Sequence, residues 1–243
     1  MRPVVRGAVP QVNGVNKTVS DYKDWRMDLI DRIGNYCSYC DMLLNDSPQV
    51  EHVSPKAPNP GLLLVWNNML LACGPCNRAK SDDPYTTATH YIPDYHNTHL
   101  GFSYQVVPHP TKKNQSACIV IPRSDPAVNL QKALDTIDLC KLAQLTYNKR
   151  ATDLRWKYRY EALVTAQLWR MDWDNWGGVV GQRFVALLVT AAQGKGFFSI
   201  WFDIFHDVPL VKQALINGFP NTDATSFDAA NFYNPVVRVV GDL

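Results

Sequence analysis

The stretch that decides the fold runs from Tyr36 to Asp82. It contains Y-C-S-Y-C (Tyr36 to Cys40), Q-V-E-H-V-S-P-K (Gln49 to Lys56) and W-N-N-M-L-L-A-C-G-P-C-N-R-A-K-S-D (Trp66 to Asp82). Two Cys-x-x-Cys pairs, Cys37/Cys40 and Cys73/Cys76, flank the dipeptide Glu51-His52. Each pair can present two thiolates to one metal from a tight turn. Together they make a closed, tetrahedral four-cysteine site for Zn2+, which is structural because no coordination position is left for water. The gap between the pairs is longer than in the commonest zinc ribbons. The zinc therefore clamps the base of a larger excursion, and that excursion carries the histidine.

Around the cysteines the local signals are short. Gln49 to Val53 reads as a strand ended by Pro55, and Pro55 to Gly61 as a rigid loop. Leu62 to Trp66 fits helix or strand. Asn68 to Ala72 reads as a second strand. Pro75 sits where the first turn of a helix accepts proline, which predicts a helix from about Gly74 past Lys80. On it Asn77 and Lys80 are three apart and share a face.

With these elements in place, the segment resembles the HNH (ββα-metal) endonucleases. That family has an acidic residue and His on a first strand, an Asn opening a second, and a His or Asn early in the following helix. Here these are Glu51-His52, Asn68 and Asn77. The run Cys76 to Asp82 and the Asn68-to-Asn77 spacing also resemble the HNH domain of the CRISPR effector nucleases, which lacks the zinc cysteines. The resemblance covers about a fifth of the chain. It implies an α+β, zinc-stapled ββα-metal core that hydrolyses DNA phosphodiesters with a divalent metal. His52 would be the general base. Asn68 would orient its imidazole, by side chain or backbone. Glu51 and Asn77 would offer oxygen ligands to Mg2+ or Mn2+, and Arg78 and Lys80 would contact phosphate. Asn77, where the family often has a second His, favours a hard ion over zinc as the catalytic metal. Adjacent strand residues point to opposite faces, so Glu51 and His52 can share a site only where the strand ends. Two rival readings stay open: a catalytically silent zinc ribbon that binds nucleic acid or a partner, and an RNA-cleaving nuclease.

The whole chain sets wider bounds. Its 243 residues are 46% hydrophobic and 19% charged, a globular composition. A net charge of +2 confines any phosphate-binding surface to a local patch. No apolar run approaches a membrane span, and M-R-P-V-V-R-G lacks a signal-peptide core, so a cytoplasmic protein is expected. Cys118 and Cys140, outside the paired motifs, are expected to be buried thiols.

The expected divisions are an arm and helix over 1–34, the nuclease core over 35–83, a strand-containing extension over 84–125 and a helical region over 126–243. The arm, with Arg2, Arg6 and Lys17, reads as a loose terminus or as a contact with DNA or a partner. Ser20 or Asp21 can cap a helix running to Ile33, with Gly34 closing it. Strand-like runs fall at Phe102 to Val107 and Cys118 to Pro122. Helices are predicted over 128–142 and 146–172, then over 180–192 after a turn at Gly177-Gly178, and over 208–216. Leu154, Tyr158, Ala162, Thr165 and Trp169 form the apolar face of the second. Trp156 and Tyr160 lie off that face and read as interface anchors. The cluster Lys149, Arg150, Arg155, Lys157, Arg159 reads as a solvated face or a DNA-backbone track.

The start M-R-P-V-V-R, the core motif and A-L-D-T-I-D-L (Ala133 to Leu139) together resemble the small HNH proteins of Septu-type and retron-associated anti-phage systems. Those act beside a P-loop ATPase. No Walker motif occurs here, so the resemblance implies a separate ATPase chain and a hetero-oligomer in which residues 126–243 dock.

Overall fold

The computed structural model describes residues 1–125, 127–145 and 153–238. The fold is α+β. After a small ribbon of β1 (Gln11–Val12) and β2 (Val15–Asn16), a single 3-10 turn (Tyr22–Trp25) leads into α1 (Arg26–Ile33). Asp21 caps the turn in a reciprocal capping box with Asp24. Gly34 ends α1 at φ 77°, the left-handed backbone that glycine adopts without cost. The central unit is β3 (Gln49–His52) paired antiparallel with β4 (Met69–Ala72), followed by α2 (Gly74–Lys80). The ambiguous stretch before β4 holds 3-10 turns at Pro60–Leu62 and Trp66–Asn68. A short α3 (Thr98–Gly101) precedes a hairpin of β5 (Phe102–Pro108) and β6 (Ser116–Pro122). Then come α4 (Leu130–Leu139), α5 (Arg155–Lys195), α6 (Phe198–Ile204), α7 (Pro209–Gly218) and a last ribbon of β7 (Phe227–Asp228) and β8 (Asn234–Pro235).

Two apolar clusters hold these elements. One gathers Leu29 and Ile33 of α1, the β4 run Met69 to Ala72, Tyr85, Phe102 and Leu139 around the four motif cysteines. The other gathers Leu188, Phe198, Trp201, Phe202 and Leu215 within the helical half, with Tyr36 reaching into it from the cysteine region. The halves meet where Gly196 bridges Met42. A Cβ on Gly196 would stand 2.7 Å from the Asp41 carbonyl, so only glycine allows this approach.

The start of the arm is neither loose nor free to touch DNA, while Gln11 to Asn16 are exposed and Lys17 pairs with Asp28 at 2.6 Å. Arg2 and Arg6 are buried. Arg2 donates to the carbonyls of Ile33 and Pro220, and Arg6 to the Met69 carbonyl at 2.8 Å while pairing with Asp94 at 2.8 Å. These guanidiniums can be inside because each finds acceptors there, backbone carbonyls for both and the Asp94 carboxylate for Arg6.

α5 also differs from expectation. Helix continues through Gly177 and Gly178, and the break falls at Gly181, at φ 54° and ψ −143°. Phe184 then lies 5.1 Å from Trp169 between ring centroids. In an unbroken helix these positions would be about 22 Å apart, so the chain doubles back there. The buried face of the first arm is Trp156, Arg159, Ala162 and Ala166, with Tyr158 exposed. Of the predicted face, Ala162 is buried and Trp169 packs on the helical core, but Tyr158 is exposed and Arg159 takes the buried position beside it. Trp156 packs on His109, with ring centroids 4.5 Å apart, and is no interface anchor; Tyr160 is half-buried. The basic cluster splits: Arg155 and Arg159 are buried, Lys157 is exposed, and Lys149 and Arg150 lie outside the described residues, as does the predicted helix start at Thr146. Among the described residues no helix is long and apolar enough to cross a membrane.

Candidate active site and its zinc staple

The local turns of Cys37/Cys40 and Cys73/Cys76 converge. All four sulfurs lie within 4.8 Å of one another, and all four cysteines are buried. The Cys40 and Cys73 sulfurs are 3.7 Å apart. A tetrahedron with Zn–S bonds of about 2.3 Å has edges of about 3.8 Å, so the cluster has the dimensions of a zinc site. Burial, reinforced by the neighbouring sulfurs, pushes the Cys37 thiol well up. Four thiolates cannot share this volume without a cation, and the donor set fits Zn2+. The guanidinium of Arg155 donates to the Cys76 sulfur at 2.9 Å and to the Cys140 carbonyl at 2.9 Å. It also grips Asp153. It thus holds a metal-ligand sulfur from outside, the role that partners of metal ligands usually play. Cys118 and Cys140 are buried thiols, as their apolar surroundings suggested.

Above the staple, α2 packs across β3 and frames a cleft of ≈ 340 Å3. Glu51, His52, Lys56, Asn77, Arg78, Asp82 and Tyr22 line it. β3 ends at His52, and this is how two adjacent residues come to share one cleft. His52 Nε2 lies 3.0 Å from the Leu63 carbonyl. A carbonyl can only accept, so Nε2 carries the proton and Nδ1 keeps its lone pair in the neutral ring. Burial lowers the His52 pKa, and Lys56 and Lys80 act in the same direction against the Leu63 carbonyl. Glu51 is buried, and burial raises its pKa against the opposing pull of Lys80. Asn77 Nδ2 donates to Gln49 Oε1 at 2.9 Å, leaving Oδ1 unused among the described residues. Asn68 does not touch the imidazole. Its side chain pairs with Ser54 as a peptide would, accepting from the Ser54 N–H at 2.7 Å and donating to the Ser54 carbonyl at 3.0 Å. It also reaches the Leu62 carbonyl. Asn68 therefore shapes the loop whose far end, Leu63, holds His52.

This cleft sits on a segment that matches a known family model. The model described as HNH endonuclease covers residues 37–83. Residues 37–83 are an HNH endonuclease domain. A curated relative, the Septu protein PtuB of Bacillus thuringiensis, is 34% identical over 58 residues. The aligned part is 23% of this chain and 23% of that protein, so the similarity spans under a quarter of either. No solved structure matches the chain.

Within the HNH domain one expected phosphate contact is corrected. Lys80 is fully buried, with its ammonium 3.1 Å from Glu51 Oε1 and 2.8 Å from the His52 carbonyl. It cannot reach a phosphate. It counters the buried carboxylate and ties α2 to the end of β3. Arg78 is exposed at the cleft wall. Lys80→Met is expected to destabilise the fold by about 3–5 kcal/mol, because it leaves the Glu51 carboxylate buried without a partner. Denaturant unfolding measures this, and an unchanged midpoint would show that the pair is dispensable.

The sequence reading missed several contributors to the HNH site. Gln49 was within reach, since it lies two residues before Glu51 and so on the same strand face. Leu63 acts through its backbone and leaves no side-chain signal. Tyr22, Trp25 and Arg155 come from outside the motif, where spacing carries no information.

Proposed function

We propose that this protein is a divalent-metal-dependent endonuclease that cleaves DNA, serving as the nuclease of an anti-phage defence system beside a separate P-loop ATPase. The observation that carries the nuclease reading is the His52 imidazole, protonated at Nε2 by its bond to Leu63 and without a hydrogen bond at Nδ1 among the described residues, in a cleft shared with Glu51 and Asn77. Nδ1 accepts a proton from water as the water oxygen attacks phosphorus, and the bond from phosphorus to the leaving 3′ oxygen breaks. Glu51 and Asn77 offer the two hard oxygen ligands that suit Mg2+ or Mn2+, which keep several waters. A metal held there would stabilise charge on the phosphate and the leaving oxygen. Arg78 and Lys56 at the cleft wall suit the phosphate backbone.

The defence role and the ATPase partner draw on the similarity to the Septu protein and on the exposed apolar side chains of α5. Leu168, Met171 and Trp176 of its first arm are each more than half exposed, at 56%, 60% and 61%. Such side chains grouped on one element favour a contact surface. The test of the nuclease reading is incubation of the zinc-loaded protein with supercoiled plasmid and Mg2+ or Mn2+, with and without EDTA. Metal-dependent nicking or linearisation is expected. Cleavage of RNA alone would move the substrate to RNA, and inert plasmid and RNA would leave a silent zinc module.

A further inference from the structure

We propose that Tyr22, supplied by the segment ahead of the HNH domain, is a positioning residue that clamps the His52 imidazole together with the Leu63 carbonyl. The inference rests on His52 being the general base. The Tyr22 ring lies 4.6 Å from the imidazole, centroid to centroid, at 59°. It lines the same cleft. The torsion that sets the plane of a His ring is broad. A single hydrogen bond at Nε2 fixes one atom and lets the ring swing about that anchor. An aromatic surface against the ring removes this freedom, leaving Nδ1 in one orientation.

The turn that carries Tyr22 is built to be rigid. Asp21 and Asp24 cap it reciprocally. Trp25, at its end, is buried edge-on to Trp66 at 5.2 Å. Its indole N–H donates to the Leu64 carbonyl at 3.0 Å. Leu64 follows Leu63, so the turn holds both sides of the clamp: Tyr22 meets the imidazole directly, and Trp25 fixes the backbone next to its hydrogen-bond acceptor. The exposed Lys56 also lies over Tyr22, its ammonium 5.1 Å from the ring centroid, a cation–π contact that favours this ring position. None of these contributors except Lys56, Leu63, Leu64 and Trp66 belongs to residues 37–83. The domain thus borrows the clamp from the preceding turn.

The experiment compares Tyr22→Leu and Tyr22→Phe in the full, zinc-loaded chain. On a labelled DNA duplex, Tyr22→Leu should lower kcat by about 10- to 100-fold with KM nearly unchanged, the scale of loss caused by a misplaced catalytic group. Tyr22→Phe keeps the ring and should retain near wild-type kcat. Independently of cleavage, the ring signals of 13C-labelled His52 should shift and broaden in Tyr22→Leu and stay sharp in Tyr22→Phe. Wild-type kcat in Tyr22→Leu, or a raised KM at unchanged kcat, overturns the inference; the latter makes Tyr22 a substrate contact. If the wild type cuts neither DNA nor RNA, the nuclease reading fails. If the His52 signals do not move in Tyr22→Leu, it is the clamp that fails.

Discussion

The double substitution Cys37→Ser/Cys73→Ser is expected to yield a chain that binds no stoichiometric zinc and does not unfold cooperatively. Each member of the pair comes from a different knuckle, so the loss opens both. Structural zinc supplies on the order of 10 kcal/mol of apparent folding free energy, and a domain has only about 5–15 kcal/mol in total. The surroundings amplify the loss. The cysteines lie inside the apolar cluster that also holds Leu29, Met69, Tyr85 and Leu139. Arg155 reaches that cluster by donating to the Cys76 sulfur. Opening the staple therefore loosens the seat of α5 as well as β3 and β4. Elemental analysis and thermal melting by circular dichroism check this. Zinc-free wild-type protein, or an unchanged melting curve in the variant, would refute it.

His52→Ala is expected to reduce cleavage by about 10²- to 10⁴-fold, the usual contribution of a positioned general base. Zinc content and cooperative unfolding should survive, because the staple lies on other residues. The pH dependence of the wild type carries a signed expectation. Tyr22 and the Leu63 carbonyl contact the ring, Glu51 and Lys56 line the same cleft, and Lys80 of α2 bonds the His52 carbonyl. Burial first, then the two lysines, disfavour the imidazolium, so its pKa falls below the ordinary 6.5. Activity requires the neutral ring. The acid limb of kcat/KM should therefore lie below pH 6.5, with rate lost as pH drops through the lowered pKa. A rate profile across this range on a DNA duplex decides the point. Full cleavage by His52→Ala, or an acid limb above pH 6.5 that His52→Ala leaves in place, would remove His52 from the base role.

Around the zinc knuckles and α1 the local signals and the structure coincide, whereas the Gly177-Gly178 pair, read as a turn, is helical and the break falls at Gly181. The end of β3 at His52, the start of α2 at Gly74 with Pro75 in its first turn, and the cap at Asp21 with Gly34 closing α1 all follow from residues within one turn of the feature. Reading fails at buried charge. Arg2, Arg6, Lys80, Arg155 and Arg159 look like surface residues in a sequence, since long cations are almost always exposed unless paired. Each is buried here. Lys80 meets Glu51, and the arginines meet carbonyls or carboxylates contributed by remote parts of the chain.

By itself the sequence determined the chemistry available: four thiols in two knuckles, and a Glu-His pair followed by Asn68 and Asn77 at HNH spacing. Those are short-range facts, fixed by turn geometry and by the donor atoms each side chain carries. The tertiary structure alone decided how the groups are held. It gave His52 the Leu63 carbonyl in place of Asn68, laid Tyr22 against the ring, and buried Lys80 beneath Glu51. The physical reason is that a hydrogen bond or ion pair is made with whichever group folding brings within about 3 Å. When the partner is a backbone carbonyl, or a side chain ahead of the motif, neither composition nor spacing marks it in advance.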